Sequence, residues 1–245
     1  MAFLQSSPPR QPFFRAPPVV PWLIAGLAVA HGLRIWAPPG QALALVFQYG
    51  LVPARYSRAF LESRMLNPGP IWEQLLPFVT YMGLHNDWTH LGINCLWLLA
   101  FGPIVARRFG ALLFLSFFIV CGVAGGLTYL VFNWGSENPV VGASGAISGL
   151  MGAAVRMLPG QVPPWMAGAQ PGEAPLAPLF SRQIMVFTAV WLAVNLAAGL
   201  TGLGMGTQSV AVAWQAHLGG FAAGLLLVTA FDRLRPRPTG LSLES

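Results

Sequence analysis

The chain has 245 residues, 55% of them hydrophobic and only 8% charged, with a mean hydropathy of +0.62. Soluble domains carry about a quarter charged residues, so this composition excludes an ordinary soluble protein and points to a lipid environment. The formal net charge of +6 is carried by arginine alone, scattered without a basic, aromatic-interleaved patch, which excludes nucleic acid as the partner and fits arginines flanking membrane spans.

Residues 1–18 are rich in proline, carry Arg10 and Arg15, and read as a cytoplasmic tail. No small-residue cleavage site follows the first apolar run, so that run is expected to stay as an uncleaved span. A spanning helix needs about 20 mainly apolar residues, with a range of roughly 17–25. Runs 19–36, 111–132, 184–200 and 210–230 meet that range, 91–106 is one residue short of it, and 144–158 is shorter and rich in glycine and alanine. Residues 37–87, with "ALALVFQYGL" and several aromatics, read as a long outer loop with its own short helices in the membrane interface. Residues 159–181 are a proline-rich cytoplasmic linker, and 233–245 a cytoplasmic C-terminal tail. The expectation is an all-α integral membrane bundle of six spans over residues 19–232. Placing both termini inside puts nine arginines in cytoplasmic segments (10, 15, 107, 108, 156, 182, 233, 235, 237) against Arg34, Arg55, Arg58 and Arg64 outside.

Polar side chains are expensive in lipid, and those within the spans are therefore candidate functional residues. His90 and Asn94 are four apart and share one helix face. Ser144 and Ser148 open the fourth span, and His217 lies in the sixth. Gly145, Gly149 and Gly152 form a stripe down the fourth span, and Ala213, Gly220 and Gly224 form another that includes His217. Small residues let helices approach closely in membranes. Facing stripes would bring His217 within reach of a serine on the fourth span. That span rises only about 22 Å, against a hydrocarbon core of about 30 Å. With its inner end fixed near Arg156, "NPVVGA" is expected to descend into a recess with Ser144 at its floor.

A serine hydroxyl needs a base before it can attack a carbonyl, and the developing oxyanion needs donors aimed at it. Ser144 with His217 supplies the first requirement. The Ser144 backbone N–H, the Asn94 amide and the His90 imidazole are candidates for the second. With Asp87 and Glu137 in outer loops, no carboxylate within the spans can orient His217, so the expected unit is a dyad. "GASGA" is also not the Gly-x-Ser-x-Gly elbow of soluble hydrolases, because Ala146 occupies its last position. Cys95 and Cys121 lie in apolar runs and read as buried free thiols. His31 and His85 read as interfacial or loop histidines. The spacing of His85, Asp87 and His90 does not suit one helix face, so neither metal nor cofactor is expected.

"HLGIN", "GASGAISG" and "AHLGGFAAG", in this order on the second, fourth and sixth spans, resemble the rhomboid family of intramembrane serine proteases, and "YGLVPARY" in the first loop resembles its bacterial members. The resemblance implies a six-helix fold that cleaves single-pass transmembrane substrates in the bilayer near the outer face, here a bacterial inner membrane. It implies Ser144 as nucleophile, His217 as base, and His90 with Asn94 as oxyanion stabilisers. It also implies a lateral substrate gate on the fifth span, with Phe187 and Trp191 as candidate gate residues. Ser148 stands where some relatives carry an aromatic under the base, and the first loop lacks a clear Trp-Arg pair. The alternatives are a catalytically silent relative that binds transmembrane clients, and a small transporter using the same polar residues.

Overall fold

The computed structural model describes residues 16–157, 174–201 and 213–235. The outer parts of both expected tails, with Arg10, Arg15 and Arg237, lie outside the described residues, as do linker positions 159–173 and the start of the sixth expected span at 210–212. The described chain is helical: α1 (Val19–Ile35), α2 (Pro39–Tyr49), α3 (Arg58–Ser63), α4 (Ile71–Leu75), α5 (Pro77–Thr80), α6 (Trp88–Phe132), α7 (Ser144–Met157), α8 (Arg182–Thr201) and α9 (Trp214–Leu234). Three of these, α6, α8 and α9, are long and apolar enough to cross a membrane, and α1 is a shorter apolar helix.

The runs expected as second and third spans are two limbs of the 45-residue α6, which turns sharply at Gly110. There φ is 74° and ψ 172°, a conformation open essentially to glycine alone. The first limb begins at Trp88, three residues before the expected start. Asp87 caps it, its carboxylate accepting from the His90 N–H at 2.8 Å. At the other end of the chain, α9 runs to Leu234, four residues past the expected limit of 230.

The centre of the molecule is α7. Every residue from Gly145 to Arg156 is buried, enclosed by α6 and α9. A helix enclosed by close neighbours needs small residues where their backbones approach, and Gly145, Gly149 and Gly152 supply them on α7. The two small stripes do face each other. A Cβ on Gly220 would strike the carbonyl of Gly145, and one on Gly224 the carbonyl of Gly149. By contrast, α8 lies at the periphery. Ile184 is its one buried residue, while Met185, Val186, Val190, Val194 and Leu200 are exposed and suit a lipid-facing surface.

Arg34, Arg108 and Arg156, which the sequence sets at span ends, are buried, because backbone carbonyls of other segments and one carboxylate satisfy their guanidinium groups. Arg34 donates to the carbonyls of His85 (2.6 Å) and Asn86 (2.9 Å). Arg156 bonds the carbonyls of Ala177 and Leu225 and the hydroxyl of Thr229. Arg108 makes a fork to both carboxylate oxygens of Asp232, at 2.6 and 2.8 Å, and donates to the Ala174 carbonyl at 2.8 Å. Arg108→Met is therefore expected to lower stability by about 2–4 kcal/mol, at the milder end for a broken buried pair because Asp232 keeps Arg235 at 3.2 Å. Thermal unfolding in detergent measures this, and an unchanged midpoint would contradict it.

The 37–87 loop carries short helices, and its anchoring is visible. Leu51 and Val140 exchange backbone hydrogen bonds of 3.1 and 2.9 Å, the Ala54 N–H donates to Ser136, and Arg64 pairs with Glu137 at 3.3 Å. The first outer loop is thus sewn to the segment that leads into α7.

Candidate active site

The segment entering α7 is non-helical backbone held inside protein: Val140, Val141 and Ala143 are all buried. Two of its backbone donors find partners on the first outer loop. The Gly142 N–H donates to the Tyr81 carbonyl at 2.9 Å, and the Ala143 N–H lies 3.5 Å from His85 Nε2. The Tyr81 hydroxyl in turn donates to the Gly122 carbonyl at 2.8 Å, tying this corner to α6. Gly142 is required twice over. Its φ is +121°, and a Cβ there would lie 2.8 Å from the His90 ring. Ser144 follows as the first residue of α7, half-buried while its neighbours on both sides are buried.

His217, in the first turn of α9, brings Nε2 to 2.8 Å from Ser144 Oγ across 73 residues of sequence. This lies within the 2.6–3.2 Å reach of a candidate base. The stripes explain the distance, since Gly220 and Gly145 remove the side chains that would hold α7 and α9 apart at this level.

His90 and Asn94 lie one turn apart on α6, both buried. The His90 Nδ1 accepts a long bond, 3.4 Å, from the Asn86 N–H, which leaves the ring proton on Nε2. The edge bearing Nε2 flanks the vacant Cβ position of Gly142 at 2.8 Å, and Ser144 Oγ flanks the same position at 3.7 Å. An imidazole donor therefore faces the space beside the serine. Asn94 uses one Nδ2 proton on the His90 carbonyl at 2.9 Å and has a second to offer.

Phe187 and Trp191 both lean on the buried Phe221 of α9, with ring centroids at 6.3 and 4.2 Å and planes nearly parallel. His31 and His85 are both buried, at 0% and 1% exposed, His31 on α1 and His85 in the loop before α6. Trp88, capped into the start of α6, lies edge-on to His31 at 4.6 Å and closes off this corner. Burial pushes the His85 imidazole down to about 3, so it stays neutral beside the Gly142–Ala143 backbone. Cys95 and Cys121 are free thiols, Cys121 fully buried.

One residue of the site was missed. Asn195 of α8 places Oδ1 at 2.7 Å from His217 Nδ1, so the imidazole has partners on both nitrogens. The signal was present, a lone amide in "VWLAVNLAAG", but it was not among the polar residues picked out of the spans. Ser148 is buried on α7, one turn below Ser144. Among the described residues no ring contact is made with His217, and the Asn195 amide is the side-chain partner of its Nδ1.

The sequence model of the Rhomboid domain matches residues 72–233. The rhomboid protease GluP of Bacillus subtilis is 36% identical over 92 residues, 38% of this chain and 17% of that protein. RHOMBOID-like protein 5 of Arabidopsis thaliana is 26% identical over 172 residues, 60% of this chain and 54% of that protein. The chain thus spans about half of one relative and a smaller part of the other. The matched domain takes in the helices that carry His90, Ser144, Asn195 and His217. With its apolar helices and a domain match over well more than half its length, the chain is an integral membrane protein that belongs to the rhomboid family.

Proposed function

We propose that this chain is an intramembrane serine endopeptidase acting on single-pass transmembrane proteins. The observation that carries the reading is the 2.8 Å hydrogen bond between Ser144 and His217 on helices held together by facing glycines. In this reading His217 Nε2 takes the hydroxyl proton as Ser144 Oγ attacks the scissile carbonyl carbon. The oxyanion receives hydrogen bonds from His90, Asn94 and the Ser144 N–H. Collapse breaks the C–N bond, and His217 returns its proton to the leaving amine. Water, deprotonated by His217, then attacks the acyl-enzyme ester; the C–Oγ bond breaks, His217 returns the proton to Ser144 Oγ, and the carboxylic acid product leaves.

The protease domain is 19–232, with six spans: α1, the two limbs of α6, α7, α8 and α9. Both termini are cytoplasmic, and the membrane is a bacterial inner membrane. Substrate enters past α8, where Phe187 and Trp191 form the gate. Support for that route is the shallow seat of α8, which rests on Ile184, on two ring contacts with Phe221 and on the Asn195 hydrogen bond.

The test is cleavage of a model transmembrane substrate in proteoliposomes by the wild type and by Ser144→Ala. Cleavage by the wild type alone is expected, and equal cleavage by both would sink the proposal.

A further inference from the structure

We infer that Asn195 is a positioning residue for His217, fixing the tautomer in which the imidazole can accept the serine proton and doing so only while α8 is docked. The inference rests on the Ser144–His217 reading and adds a third member supplied by the gate helix.

The argument is one of donors and acceptors. The Trp191 carbonyl can only accept, and Asn195 Nδ2 lies 2.9 Å from it within the same helix. That bond fixes which way the amide faces. Oδ1 is therefore the atom turned to His217 Nδ1 at 2.7 Å. Since Oδ1 can only accept, the imidazole proton sits on Nδ1. The lone pair is then on Nε2, 2.8 Å from Ser144 Oγ, where a general base needs it. One backbone carbonyl in α8 thus sets the direction of three successive groups, the Asn195 amide, the His217 imidazole and the Ser144 hydroxyl. The Ser-His-Asn order parallels the Cys-His-Asn arrangement of other hydrolases, in which a neutral amide orients the base.

The position of Asn195 adds a consequence. It sits one turn beyond Trp191, on a helix with Ile184 as its one buried residue. Outward movement of α8 that lifts Trp191 from Phe221 also withdraws Oδ1 from His217. The imidazole is then free to rotate or change tautomer. In this arrangement an open gate leaves the base unset, and reclosing of α8 beside a bound substrate restores it. Cleavage is thereby tied to gate closure.

The test is the rate at which a fluorophosphonate labels Ser144 across pH 5–9, in wild type, Asn195→Ala, Asn195→Asp and His217→Ala in detergent micelles, each with its melting temperature. Loss of a histidine's outer hydrogen-bond partner costs about 10–100-fold at metal sites, and a wrong tautomer in a serine triad about 10⁴. Asn195→Ala is expected to label about 10- to 100-fold more slowly at an unchanged melting temperature. Asn195→Asp is expected to recover most of that rate, with the acid limb of its profile moved to higher pH because a carboxylate favours the imidazolium. ¹⁵N shifts of labelled histidine should place the His217 proton on Nδ1 in wild type and not in Asn195→Ala. Wild-type labelling and profile in Asn195→Ala would overturn the inference. So would equal losses in both variants accompanied by lowered melting temperatures. Failure of the wild type itself to label Ser144 would instead overturn the underlying protease reading.

Discussion

His217→Ala is expected to lose cleavage by on the order of 10⁴- to 10⁶-fold, as much as Ser144→Ala, because the two groups act as one unit. The reason is local. Ser144 Oγ lies 2.8 Å from His217 Nε2, which accepts its proton in the proposed mechanism, and His90 faces the same space. Without the imidazole the hydroxyl keeps its proton, and the leaving amine has no acid to receive it from. The double variant should be no worse than either single one, since non-additivity is the mark of groups that work in one step. Single-turnover cleavage in proteoliposomes measures all three. A residual rate in His217→Ala within tenfold of wild type would contradict the assignment of His217 as base.

The second large effect comes from a residue without a side chain. Gly220→Val is expected to destabilise the protein by about 3 kcal/mol and to slow Ser144 labelling by at least about 100-fold. A Cβ at position 220 meets the backbone carbonyl of Gly145, which cannot swing away as a flexible side chain does. The clash lies one residue from Ser144 on α7 and three from His217 on α9, so relief by separating the helices lengthens the 2.8 Å contact directly. A 1 Å misplacement is enough to cost about 10²-fold. Thermal unfolding and labelling rate read the two effects separately. A Gly220→Val protein of wild-type stability and rate would show that the stripes are not what sets the site.

The parts of this molecule that could be read from sequence are those where lipid makes the rule strict. Few polar groups are tolerated in a span, so Ser144, His90, Asn94 and His217 stood out, and close backbone approach leaves glycines at helical spacing. Both signals are local. The rest depends on which surfaces meet. Arg108 and Arg156 read as flanking charges because nothing in their neighbourhood announces Asp232 or the Thr229 hydroxyl on a distant helix. His31 and His85 looked peripheral because their neighbours come from other segments, Trp88 against His31, and His31 and His90 against His85. The anchoring of the first outer loop rests on backbone pairing between Leu51 and Val140, to which side-chain identity contributes little. Asn195 is the instructive miss. It obeys the same rule as the others, and its meaning follows only once α8 is seen to lean its amide against the Nδ1 of His217.

The most direct test of the central claim is covalent labelling. Purified wild type in lipid is treated with a fluorophosphonate and the adduct is located by peptide mapping. The account predicts modification of Ser144 in the wild type and none in Ser144→Ala or His217→Ala. A folded wild type that binds transmembrane clients yet carries no adduct on Ser144 would contradict it, and would make this rhomboid a client-binding protein in place of a protease.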